Sequence, residues 1–134
     1  MQGVYLVAAE LTYRGFIVSP TSRSAIGADL LVTDPECRQA WSVQVKTNSQ
    51  RMTFWLVGPH ATKIKSPTHV YVFVTLHGNE RPEYHVVPSE FVAQHVFEEK
   101  TKSGTWYSFD RSDLKAHSED PEGWKCFQSP PSGL

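Results

Sequence analysis

Apolar residues recur at Val4, Val7, Ala8 and Leu11, the i, i+3, i+4, i+7 spacing of a helix with one apolar stripe, which predicts a helix over 3–14. Gly15 supplies its stop, and Arg14 stands against the negative end of the helix dipole. Phe16-Ile17-Val18-Ser19 reads as a short strand closed by Pro20. A polar loop, Thr21 to Gly27, then delivers the chain to Ala28-Asp29-Leu30-Leu31-Val32. Asp34-Pro35-Glu36 breaks that strand, so 28–33 and 41–47 are expected to pair as an antiparallel hairpin. From Trp41 to Thr47 polar and apolar residues alternate. Successive strand side chains point to opposite faces, so Ser42, Gln44 and Lys46 share one face while Val43 and Val45 share the other.

Further on, Phe54-Trp55-Leu56-Val57 is an apolar run stopped by Gly58-Pro59. Residues 70–76 are β-branched and aromatic without polar alternation, the mark of a central strand covered on both faces. Gly78-Asn79 makes a turn, and Tyr84-His85-Val86-Val87 pairs back. Pro88-Ser89-Glu90 opens a helix through about residue 97, with Ser89 as its cap. Trp106, Phe109, Leu114, Trp124 and Phe127 are apolar anchors in polar sequence. They suggest a short helix near 111–117 and a segment that docks through Trp124. The expected organisation is one domain over 1–127 with a disordered tail at 128–134. This order of elements describes a mixed sheet with helices packed on it, α/β or α+β.

Composition changes that picture little. With 40% hydrophobic and 20% charged residues the chain reads as an ordinary globular protein. It shows no membrane-span run and no secretory leader pattern, which suggests a cytoplasmic protein. Cys37 and Cys126 lack CxxC spacing and read as free thiols, a disulfide between them remaining open. A net charge of -1 does not mark a generally basic nucleic-acid binder. Its distribution is uneven, however: residues 1–65 carry seven Lys/Arg against four acids, and the remainder six against ten. A polyanion meeting the first half would suit this asymmetry. The six histidines show no HxxH or HExxH spacing, and no Gly-rich phosphate loop is present.

Several features together resemble the PD-(D/E)XK nuclease superfamily, and within it small Holliday-junction-resolvase-like and restriction-endonuclease-like domains. They are Ala8-Ala9-Glu10-Leu11 on the helix, Arg14-Gly15-Phe16 after it, the Ala28-Asp29-Leu30-Leu31 strand, and Gln44-x-Lys46 on the next. The resemblance implies an α/β fold with a restriction-endonuclease-like mixed β-sheet flanked by helices. It implies Asp29 as the first motif aspartate, Gln44 at the Asp/Glu position, Lys46 as the motif lysine and Glu10 as an accessory helical acid. Asp29, Gln44 and Glu10 would hold Mg2+ or Mn2+, and Lys46 would serve the attacking water and the phosphate. Two departures stand out. Ala28 replaces the motif proline, and Gln44 offers a neutral carbonyl where a carboxylate is expected.

The implied activity is magnesium-dependent endonucleolytic cleavage of DNA. One small site facing two strands suggests a homodimer or tetramer. The rival is a catalytically inactive module of the same fold that binds nucleic acid or a protein, and RNA is a third possibility. Each residue also has a plainer role open to it. Asp29 would cap a turn or pair with Arg23, Gln44 and Lys46 would be solvated strand residues, and Glu10 would pair with Arg14 at i,i+4. Ser22, Arg23, Asn48, Gln50, Arg51, Lys63 and Lys65 flank the site as candidate phosphate contacts, or are solvated loop residues. Phe54, Trp55, Trp106 and Tyr107 are candidates for base stacking or for core.

Overall fold

The computed structural model describes residues 1–22, 27–114 and 120–128. Helix α1 (Gln2–Tyr13) lies on one face of a five-stranded sheet ordered β1 (Ile17–Pro20), β2 (Leu30–Thr33), β3 (Ala40–Ser49), β5 (His69–Leu76), β6 (Glu83–Pro88). The β2–β3 hairpin is antiparallel, as its turn chemistry predicts: Asp34 Oδ1 accepts from the Arg38 and Gln39 amides at 2.7 and 3.0 Å. Pro20 falls within β1, which an edge strand tolerates because the missing N–H is not needed by a second neighbour. Strands β3 and β5 pair in parallel, with Gln44 opposite Tyr71 and Lys46 opposite Phe73. Seven consecutive residues of β5, His69 to Thr75, are buried, as expected for a strand covered on both sides.

Each face of the sheet has its own core. Val7 and Leu11 of α1 meet Leu30, Val32, Trp41, Val43, Val45, Val70 and Val72 on one side. On the other, Tyr71 and Phe73 pack against Trp55, Val57, Phe109 and Val92. The second layer is a three-stranded sheet ordered β4 (Phe54–Val57), β8 (Gly104–Asp110), β7 (Phe97–Thr101), together with helix α2 (Ser89–His95). Trp55 joins the layers, donating its indole N–H to the Val74 carbonyl at 3.1 Å.

The structure corrects several expectations in the second half. Residues 97–110 form a hairpin, which the sequence does not announce because all five residues of β7 are exposed and carry no alternation. Helix α2 ends at His95, since Val96 turns extended and starts the approach to β7. Ser89 is not its cap: its hydroxyl donates to the Ser66 carbonyl and accepts from the Ser66 amide, both at 3.2 Å. In place of a helix near 111–117 there is a 3-10 turn at Arg111–Asp113, and 115–119 lie outside the described residues. Of the tail, 129–134 likewise lie outside them. Trp124 docks as expected, buried within a 3-10 turn at Trp124–Phe127.

Candidate active site

Asp29 lies one residue before β2, and its amide donates to the Val43 carbonyl at 2.7 Å, so it continues the ladder opposite Gln44. Leu30 points into the α1-side core, which turns Asp29 to the opposite face, the one shared by Gln44 and Lys46. There the carboxylate is held at one oxygen. Oδ2 accepts from the Gln44 side-chain amide at 2.9 Å and from the Val45 backbone N–H at 2.8 Å. Lys46 is half-buried one pleat further on, and no hydrogen bond or ion pair engages its ammonium among the described residues. The structure therefore brings Asp29, Gln44 and Lys46 to one side of the sheet.

The approach to Asp29 is fixed by residues that local sequence does not single out. Buried His69 bonds through Nε2 to the Gly27 carbonyl, two residues before Asp29. Gly27 has φ +81°, and a Cβ there would meet Ile64 Cδ1 at 2.6 Å. The Ile64 side chain therefore lies against Gly27, and its sequence neighbours Lys63 and Lys65 are exposed. Tyr71, paired with Gln44 in register, stacks on Phe73, and burial pushes its hydroxyl up to about 12, so it stays a neutral phenol. The parallel β3–β5 pairing creates these neighbours, and no local pattern announces it.

Glu10 is not part of this group. A Cβ on Gly3 would fall 1.9 Å from Thr47 Oγ1, so only glycine lets the start of α1 approach β3 so closely. Glu10 lies two turns further along the helix, roughly 10 Å by helical rise. Its carboxylate sits 3.2 Å from Arg14 and 3.7 Å from Arg81, which also contact Glu122 at 3.8 and 2.9 Å. Arg14 stacks over Trp124 at 4.5 Å, and Arg81 over Tyr84 at 5.5 Å. These partners belong to the α1 side of the sheet. Glu10 is thus engaged by Arg14 at i,i+4 and by Arg81.

The candidate phosphate contacts divide similarly. Asn48 is an internal bridge: its Nδ2 donates to the Phe54 carbonyl at 2.9 Å, and its Oδ1 accepts from Thr75 at 2.8 Å. Thr75 in turn accepts from Arg111 at 2.7 Å, so the Asn48 amide ties the two sheets together. Gln50 is exposed but engaged with His77 at 3.1 Å. Arg51, Lys63 and Lys65 are exposed cations with no ion pair among the described residues. Ser22 is exposed and has an interaction of its own, and Arg23 lies outside the described residues. Trp55 and Tyr107 turn inward to the second core, whereas Trp106 points outward.

No group of three His, Cys, Asp or Glu side chains among the described residues converges as a metal cage. Asp29 and Gln44 still fit a hard cation in part. A half-turn of the Gln44 amide exchanges its NH2 for its carbonyl and sets two oxygens side by side. Magnesium needs few protein ligands because it keeps water and takes substrate oxygens.

The fold is similar to that of the Holliday junction resolvase Hjc of Archaeoglobus fulgidus, with a TM-score of 0.56 at 10% identity, over 84% of this chain and 89% of that one. No protein-family model and no curated protein matches the chain. The protein therefore has the mixed α/β architecture of the Hjc resolvase, in agreement with the fold that the motif resemblance implies.

Proposed function

We propose that the domain is a divalent-cation-dependent endonuclease acting on DNA, of the PD-(D/E)XK type, with its site at Asp29, Gln44 and Lys46. The observation that supports this most is an aspartate tied to the β3 backbone on the same face as a half-buried lysine that has no counter-ion among the described residues. A Mg2+ or Mn2+ ion held by Asp29 and Gln44 would supply charge neutralisation at the scissile phosphate and a more acidic bound water. The Val45 N–H and the Gln44 amide both hold Oδ2 of Asp29, which leaves Oδ1 without a hydrogen bond among the described residues. Lys46, desolvated by partial burial, offers a positive charge to the phosphate and orients the attacking water. Lys63 and Lys65 then meet the flanking backbone phosphates. Homodimerisation would supply the second site that cutting two strands requires.

A second reading, an inactive binding module of the same fold, draws on Gln44 and on Glu10 being elsewhere. Incubation of pure protein with linear duplex, four-way junction and single-stranded DNA, in Mg2+ and in EDTA, separates the two. Cleavage that needs the cation and vanishes in both Asp29→Asn and Lys46→Ala supports the nuclease. Binding without cleavage in any cation supports the module.

A further inference from the structure

In the second sheet the β4–β8 pair buries one face and leaves the other bare. Trp55, Val57, Tyr107 and Phe109 point inward. Strand alternation then turns Phe54, Leu56, Trp106 and Phe97 outward, where Leu56 is 51%, Phe97 62% and Trp106 48% exposed. Between them lies a groove of about 440 Å3 whose charged lining residues among those described are Glu99 and Asp110. β7 is the edge strand of this sheet, so one side of its backbone has no partner strand among the described residues.

We propose that this face docks an extended polypeptide segment of another protein, one that carries large apolar side chains flanked by Lys or Arg. Its apolar side chains would enter the groove between Leu56, Phe97 and Trp106, and its cations would meet Glu99 and Asp110. Area and charge decide against the other occupants. Half-exposed aromatic rings present roughly 100 Å2 each, so the patch falls well below the ~800 Å2 per partner of a stable dimer. Pairing with a second copy would also bring the acids of both copies together with no cation in the groove to offset them. Nucleobases would stack on Trp106 and Phe97, but their phosphates would be repelled by the same two carboxylates.

The test is panning of a random dodecapeptide display library on the full chain, after depletion on the Leu56→Ser/Trp106→Ser variant. These positions are exposed, and unchanged circular dichroism checks that the variant folds. The expected outcome is enrichment of peptides that combine aromatic or branched residues with two or more Lys/Arg. Their affinity should fall about tenfold or more in the double variant and in Glu99→Lys, the scale of one lost interface anchor. Asp29→Asn should leave it unchanged, so the result stands or falls separately from the nuclease reading. The proposal is overturned if no clone is enriched, or if enriched peptides lack basic residues or bind Glu99→Lys equally well. It is equally overturned if the free protein sediments as a dimer that Phe97→Ser dissolves, or if an oligothymidylate binds and is lost in Trp106→Ser.

Discussion

Two polar groups lie on opposite faces of the five-stranded sheet and differ in how their charges are met. On the α1 side, Glu10, Arg14, Arg81 and Glu122 form a cluster in which each charge faces an opposite one and the guanidinium groups rest on Trp124 and Tyr84. On the other side, Asp29 is held by neutral donors, and Lys46 has no counter-ion among the described residues. A closed cluster of this kind holds elements in place. A half-buried ammonium without an anion leaves its positive charge open to an incoming anionic group. The difference suits a structural role for the first group and the proposed chemistry for the second, although sequence resemblance places Glu10 with Asp29.

The largest effect that sharpens this comparison is on turnover. Lys46→Ala should lower cleavage by ~100-fold or more, the scale of losing one charge-stabilising donor, while shifting the thermal midpoint little. A large stability loss with unchanged turnover would reverse the assignment. Next is Trp124→Ala, which removes a buried ring from under Arg14 and should cost about 3 kcal/mol in denaturant unfolding, with turnover per folded molecule retained. Glu10→Gln should cost at most about 1 kcal/mol, because the pair is partly solvated, and should leave cleavage within about twofold. Loss of activity in Glu10→Gln with normal stability would restore the accessory-acid role. Gln44→Glu sets a second carboxylate 2.9 Å from Asp29 in place of a donor. It should tighten cation binding and preserve or raise cleavage, while lowering stability in EDTA.

The smallest effects are on acid stability. Burial works against ionisation of Glu122, but hydrogen bonds from Arg81 and Trp124 outweigh it and hold the carboxyl below its ordinary 4.5. A depressed folded value gives stability that is present above pH 4.5 and lost as pH falls through the folded value. Trp124 fluorescence should therefore change below pH 4.5, ahead of global unfolding. Burial also lowers His85 from 6.5, so its neutral form is favoured in the fold, and stability should fall as pH drops below that value. His85→Gln should flatten that part of the profile in thermal melts.

What the sequence made legible is what local periodicity encodes. The stripe Val4, Val7, Ala8, Leu11 reads as α1, the turn at Asp34 reads as a hairpin, and alternation along β3 places Gln44 and Lys46 together. What stayed hidden depends on pairing across distance. The β3–β5 register brings Tyr71 to Gln44, and His69 reaches back to Gly27. Asn48 looks like a solvated loop amide until β4 supplies the carbonyl it serves. β7 escapes notice because both its faces meet solvent, so no hydrophobic alternation marks it. Glu10 shows the limit of motif reading: the right residue type on the right helix points to a different cluster once Arg81 and Glu122 arrive from later in the chain.

Whether a cation binds between Asp29 and Gln44 beside Lys46 is read by amide NMR with substoichiometric Mn2+. Selective broadening of the Asp29, Gln44, Val45 and Lys46 resonances is expected, lost in Asp29→Asn and absent around Glu10. Broadening centred on Glu10 and Glu122, or unchanged in Asp29→Asn, would contradict it.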